Sequence, residues 1–191
     1  DFEPIKPAKI EPVTDQIKEA DLEKAAKLIA KAKKPFILVG GGVTSAGAYQ
    51  EFRAFAKKMN APVCDTLMGK GCMDGNDPLY TGMIGMHGTK TSNFGVTQSD
   101  LLVVVGARFS DRVIGNASKF ANDAKIIHID VDPAEINKNV GVDESIIGDV
   151  KSVLEILNSK LEKQDHKDWI AEVMACKEKF PLRYNKETLT G

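Results

Sequence analysis

Two apolar patterns alternate along this chain. Short runs without a polar break, FILV at 36–39, LLVVVGA at 101–107 and KIIHIDV at 125–131, fit strands buried on both faces. APVCDT at 61–66 and SIIGD at 145–149 read as shorter strands. Between them the apolar residues recur every three or four positions, as in helices. In EADLEKAAKLIAKAKKP (19–35), Leu22, Ala25, Ala26 and Ile29 form one face. Asp21 is the expected N-cap, lysines gather in the last turn, and Pro35 is the stop. SAGAYQEFRAFAKKMN (45–60) lines up Phe52, Phe55, Ala56 and Met59, and Asn60 can close it. SNFGVTQSD (92–100) is a short helix, and Asp132 followed by Pro133 has the chemistry of a helix start. VKSVLEILNSKLEK (150–163) and HKDWIAEVMACKEKF (166–180) complete the set, the last turning Trp169, Val173, Cys176 and Phe180 inward. The passage from Leu67 to Thr89 has many glycines and no period, and reads as a long functional loop.

Helices alternating with apolar strands predict an α/β fold. The expected form is a three-layer, open parallel sheet of five or six strands with helices on both faces, Rossmann-like. The domain is expected to span 16–181, between a linker at 1–15 and an exit linker at 182–191. The first linker carries Pro4, Pro7 and Pro12, and the chain has no initiator methionine. Both features read as a segment arriving from a preceding domain.

Composition narrows the function classes. With 191 residues, 42% of them hydrophobic, the chain can build one substantial core and not two full domains. A net charge of -1 provides no basic field for nucleic acid. No apolar run approaches the roughly 20 residues that span a bilayer, and the start lacks a signal-peptide core. A cytoplasmic protein is expected. Cys64, Cys72 and Cys176 lack metal spacing and read as free thiols, and His87, His128 and His166 are scattered, so no metal site is expected. There is no Ser-His-Asp spacing, nucleophile elbow or P-loop.

The candidate chemistry lies at the strand ends. In an open α/β sheet, ligands bind outside the carboxyl ends of the strands. Those ends carry Gly40, Gly41, Gly42 and Thr44; Asp65 and Thr66; Gly106, Ala107 and Arg108, with Asp111 and Arg112 behind; Asp130, Val131 and Asp132; and Gly148 with Asp149. Glycines let backbone N–H groups approach a pyrophosphate, arginine forks onto phosphate, and an acidic strand end accepts from ribose hydroxyls. A plainer reading stands beside each. The glycines can form a mere turn, Asp132 can cap a helix, Arg108 can pair with Asp111, and His128 can be a satisfied core histidine. Met83, Ile84 and Met86 can be core filler.

The segment GMHGTKTSNFGVTQSDLLVVVGARFSDRVIG (85–115) closely resembles the large, catalytic subunit of acetolactate synthase, also called acetohydroxyacid synthase. AKIIHIDVDPAEINKN with the later GDV, PFILVGGGV and PVCDTLMGKG extend the likeness over about residues 15–180. The resemblance is to the central domain of this thiamine-diphosphate enzyme family. It implies an FAD site with a structural rather than net redox role, formed by Gly40, Gly41, Gly42, Thr66, Leu67, Met68, Met86, His87, Gly88, Gly106, Ala107, Arg108 and Arg112. Asp130 and Val131 would face the adenosine, and Asp149 and Val150 would complete the rim. Met86, Asp111 and Arg112 would lie near the active-site entrance, with Arg112 a candidate for the substrate carboxylate, although locally it reads as an exposed arginine balanced by Asp111. The family condenses two 2-ketoacids with loss of carbon dioxide, as a homo-oligomer with a small regulatory subunit. Its thiamine diphosphate and magnesium are held by the other domains of the chain. The activating glutamate and the Gly-Asp-Gly metal motif of those domains are absent from this sequence, and MDGND at 73–77 does not supply the latter. This chain alone is therefore expected to be inactive. The alternatives are a central domain of pyruvate oxidase or glyoxylate carboligase, or a structural domain that binds no nucleotide. An NAD-dependent deacylase would usually carry a four-cysteine zinc module, which three dispersed cysteines cannot form.

Overall fold

The computed structural model describes residues 17–183 and residue 187. The expected linker at 1–15 lies outside the described residues, as does 182–191 apart from residues 182, 183 and 187. Six strands are present: β1 (Pro35–Val39), β2 (Val63–Asp65), β3 (Tyr80–Met83), β4 (Leu101–Val105), β5 (Lys125–Asp130) and β6 (Glu144–Ile147). The helices are α1 (Glu19–Lys31), α2 (Gly41–Ser45), α3 (Tyr49–Met59), α4 (Lys90–Gln98), α5 (Asp111–Ile114), α6 (Val150–Lys160) and α7 (Lys167–Lys179). All strands pair in parallel, in the order β3-β2-β1-β4-β5-β6. The expected α/β sheet is therefore observed, with the higher of the two strand counts.

Strand alternation sorts the core into two layers. Ile37, Val39, Val103, Val105, Ile127 and Ile129 point to the face covered by α1, α3 and α6, where Leu22, Ile29, Phe52, Phe55, Val153 and Leu157 meet them. Phe36, Leu38, Leu102, Val104 and Ile126 point to the opposite face, against Val96 of α4 and Trp169 and Val173 of α7. This double burial is why the strands lack polar alternation. α4 comes so close that a Cβ on Gly95 would lie 2.1 Å from the Phe36 ring.

Several local expectations need correction. α1 begins at Glu19 and its N-cap is Lys18, without a side-chain bond, so Asp21 sits inside the first turn and is not the cap. The helix expected at 45–60 is divided: α2 ends at Ser45, Gly47 has φ +62°, and α3 starts at Tyr49 and closes on left-handed Asn60. The passage 67–89 is not all loop, because it contains β3 and a 3₁₀ turn at Leu67–Gly69. Asp132 does act as a cap, accepting from the Ala134 N–H at 2.9 Å, but only a single 3₁₀ turn forms after it. Trp169 and Val173 are buried as expected, whereas Phe180 is exposed beyond the end of α7, under the Lys90 ammonium.

Candidate functional site

The sheet order places the site. The chain leaves β1 toward β2 on one side, and β4 toward β5 on the other, so the loops after β1 and β4 diverge. A crevice forms at such a switch point. Here it is a cleft of about 650 Å³, within the range of small-molecule and cofactor sites. Its lining includes Gly41, Gly42, Thr66, Leu67, Met68, His87, Gly106, Ala107, Arg108, Arg112 and Asp130, eleven of the seventeen residues expected from the sequence.

The glycines on its floor have two different jobs. Gly40 donates to the Val105 carbonyl at 2.9 Å and Gly42 to the Gly106 carbonyl at 2.8 Å, joining the two diverging loops. A Cβ on Gly40 would lie 2.3 Å from the Gly106 oxygen, and one on Gly42 would lie 2.6 Å from the Gly106 Cα. These two glycines are required by backbone packing on backbone. Gly41 differs, because its added Cβ would meet only Met68, 2.9 Å from its Cβ and 3.5 Å from its carbonyl oxygen, and not the β4 turn. It heads α2, so its N–H has no intrahelical acceptor. Of the triplet, Gly41 is therefore the residue whose main chain a ligand can reach. The turn reading holds for Gly40 and Gly42, and Gly41 is left open to a ligand.

One wall comes from the turn after β2. Thr66 caps it, its hydroxyl accepting from the Gly69 N–H at 3.1 Å. This leaves Leu67 and Met68 exposed at the cleft mouth, 69% and 73%, despite being apolar. The turn is held down because Gly69 passes close to β1, where a Cβ would lie 2.3 Å from the Val39 oxygen. Met86 is exposed too, and is not core filler, while Ile84 is buried and lines the cleft. The Met86 N–H donates to the Arg112 carbonyl at 3.0 Å, tying the 85–88 turn to α5.

The other wall carries charge. Arg112 is exposed and pairs with Asp111 at 3.5 Å, a surface contact of small worth. Arg108 is also exposed and does not pair with Asp111. Asp130 is 7% exposed, and its Oδ1 accepts from the Asp132 N–H at 3.0 Å. Burial pushes its carboxyl up, but the neighbouring His128 and the Asp132 and Val131 N–H groups outweigh this and hold it below the ordinary carboxylate value. Asp130 therefore presents an ionised acceptor to the cleft.

Six expected residues do not line it. Gly40 is buried between the β1 and β4 turns, Met86 and Gly88 flank the lining residue His87, and Val131 is an exposed neighbour of Asp130. Asp149 is committed to α6, accepting from the Ser152 N–H at 2.9 Å and its hydroxyl at 3.0 Å, and Val150 is buried in the core. Conversely, Ser45, Ser110 and Val113 line the cleft without a sequence signal that marks them. Small polar residues just past a glycine turn, or just before a short helix, look like any others. Among the described residues, no cluster of His, Cys, Asp and Glu is arranged for a metal, and no helix is long and apolar enough to cross a membrane. Cys64, Cys72 and Cys176 are free thiols.

Comparison with known proteins places this arrangement in a family. The family described as thiamine pyrophosphate enzyme, central domain, matches residues 22–157. A probable acetolactate synthase large subunit of Methanococcus aeolicus is 53% identical over 147 residues, 77% of this chain and 24% of that protein. One from Methanocaldococcus jannaschii is 51% identical over 159 residues, 82% of this chain and 27% of that protein. The acetolactate synthase large subunit of Corynebacterium glutamicum is 45% identical over 171 residues, 87% of this chain and 27% of that protein. The chain thus spans about a quarter of the length of these curated relatives. Its parallel sheet, its cleft and its sequence agree: this chain belongs to the family of thiamine pyrophosphate enzyme central domains.

Proposed function

We propose that this chain is the central domain of an acetolactate synthase large subunit, bounded at about residues 16 and 181, and that its cleft binds FAD. The observation that carries the enzyme assignment is 45–53% identity, across most of the chain, to proteins of that name. The cofactor reading is supported by the cleft itself. It has the right size, a reachable backbone at Gly41, two guanidinium groups suited to a pyrophosphate, and an ionised acceptor at Asp130 suited to a nucleoside. Arg108 and Arg112 hold the phosphates, Gly41 lets them approach the main chain, and Leu67 and Met68 cover the apolar parts. The flavin supplies no net redox step in this assignment and acts as a structural element.

In the full-length protein, thiamine diphosphate and magnesium are held by other domains of the same chain. That protein condenses two 2-ketoacids with release of carbon dioxide, working in the cytoplasm as a homo-oligomer with a small regulatory subunit. Arg112, facing the entrance, is a contact for a substrate carboxylate. The 191 residues of this chain lack the thiamine machinery and form no acetolactate alone.

The test is a pair of measurements. FAD is titrated calorimetrically into the full-length protein, whose visible spectrum is recorded, and carboligation of pyruvate is assayed with thiamine diphosphate and magnesium. Stoichiometric flavin and acetolactate from the full-length protein, with no turnover from the 191-residue chain, is the expected result. Turnover by the shorter chain would overturn the domain assignment. A full-length enzyme that is active but colourless, and does not bind FAD, would leave this domain a structural spacer.

A further inference from the structure

His128 and Asp130 are two residues apart on β5 and so share one face of the sheet. Asp130 is at the cleft, and His128 lies directly behind it, fully buried. The imidazole packs edge-on against the Phe109 ring with centroids 5.0 Å apart. Its Nε2 is 3.0 Å from the Ala107 carbonyl oxygen and 3.6 Å from Asp130 Oδ2. Both neighbours only accept, so Nε2 must carry the proton. Nδ1 is buried and has no partner among the described residues. Nε2 is therefore the ring nitrogen whose proton faces both acceptors.

The surroundings of Asp130 follow the same logic. One oxygen accepts from the Asp132 N–H and the other faces the His128 N–H. Among the described residues no lysine or arginine forms an ion pair with it. The buried carboxylate thus has no lysine or arginine committed to it, and it faces the cleft. A phosphate placed against it would be repelled, whereas a hydroxyl or amino group would be bound strongly. The guanidinium groups lining the cleft, Arg108 and Arg112, have the opposite preference.

We propose that His128 is a positioning residue, which fixes the Asp130 carboxylate to receive an O–H or N–H donor from the nucleoside half of the cofactor and so sets the direction in which an asymmetric dinucleotide enters the cleft. The proposal rests on the cofactor reading above. It also explains why a polar ring occupies an otherwise apolar layer. The bond to the Ala107 carbonyl links the β4 turn to β5 and so fixes the ring beside the Asp130 carboxylate.

The test uses the full-length protein and FAD as probe. His128→Leu removes the donor and Asp130→Asn removes the charge, and each is expected to weaken FAD binding about tenfold. Because His128 acts through Asp130, the double variant is expected to bind no more weakly than either single one. His128→Gln retains an N–H donor and is expected to recover most of the loss. Nitrogen-15 NMR of histidine-labelled, unaltered protein is expected to report a proton on His128 Nε2, and this readout needs no variant to fold. Additive losses in the double variant, or a ring protonated on Nδ1 and not on Nε2, would overturn the role of His128 while leaving the cofactor reading intact. Failure of the unaltered protein to bind FAD would overturn both.

Discussion

Two aspartates end two strands of this sheet and meet opposite fates. Asp65 ends β2 and Asp130 ends β5, and both are nearly buried, at 2% and 7% exposure. Asp65 is sealed from within. The Tyr80 hydroxyl donates to its Oδ2 at 2.7 Å, and the Lys70 ammonium sits 3.5 Å from Oδ1. Its neighbours join β3 and the turn after β2 to the sheet, and it does not line the cleft. Asp130 has the Asp132 N–H and the His128 ring beside it, no lysine or arginine among the described residues, and opens on the cleft. The difference shows that a strand-end carboxylate is not a site by position alone. What separates a structural carboxylate from one available to a ligand is whether a donor of the fold, here the Tyr80 hydroxyl, already closes it off from the cleft.

Breaking the sealed end is expected to have the largest effect on stability. Asp65→Ala strands the Tyr80 hydroxyl and frees Lys70, and should cost about 2–3 kcal/mol, read as a fall in Tm of roughly 5–10 °C. FAD affinity should barely move, since the residue is not at the cleft. Asp130→Asn should show the reverse pattern, with a loss of about 1.4 kcal/mol in FAD binding and a smaller change in Tm. If both variants lost stability equally and neither altered binding, the contrast between the two ends would collapse.

Acid titration sharpens the same contrast. The folded Asp130 carboxyl lies below its unfolded value, so the stability it contributes is present above that value, about 3.9, and is lost as pH falls through the lower, folded one. The stability difference between unaltered protein and Asp130→Asn should be constant from neutral pH to about 5 and shrink only below about 4. A difference that vanished already at pH 6 would mean the carboxyl is protonated in the fold.

Tyr80→Phe is a milder cut at the β2 end, expected to cost about 1 kcal/mol by thermal unfolding, with unchanged FAD binding. Burial, and then the hydrogen bond to Asp65, raise the Tyr80 phenol above its ordinary value. Its contribution is therefore complete below the unfolded value near 10 and is lost as pH rises beyond it, so the unaltered protein should lose more stability above pH 10 than the variant does. Lys70→Met should have the smallest effect, about 0–1 kcal/mol, because the ammonium is half in water. A loss as large as that of Asp65→Ala would show that Lys70, rather than Tyr80, closes this end.

The pattern of apolar residues alone determined much of this protein. FILV and LLVVV read correctly as strands because a parallel strand covered on both faces has no polar break. α1 and α6 were legible because their apolar stripes face one core. The caps at Asn60 and Asp132 were also legible, since their chemistry is local. β3 was not. Its four residues, YTGM, contain a polar position and a glycine at φ +105°, and the polar position is answered from β2 and from the start of α4. Thr81 bonds the Val63 carbonyl and Ser92, and Ser92 in turn bonds Thr89 and the Gly82 carbonyl. Of those partners only Val63 is distant in sequence; the others fall within residues 81–92, but no apolar period marks which of them meet.

The site divides in the same way. Glycines, arginines and acids at strand ends could be picked out one by one, because each residue type has a chemistry of its own. Their assignments to backbone packing, helix capping, sealing or binding could not. Gly40 and Gly42 became packing residues because the turn after β4 passes 2–3 Å from where their Cβ atoms would be. Asp149 became the cap of α6, a use its own helix start offers. His128 gained its surroundings from a carbonyl twenty-one residues away and a carboxylate two residues on. Hydrophobic periodicity is a property of neighbours along the chain, so the sequence by itself decided the layers and most of the elements. Charge compensation and close backbone approach depend on which strand ends meet, and only the tertiary structure decided those.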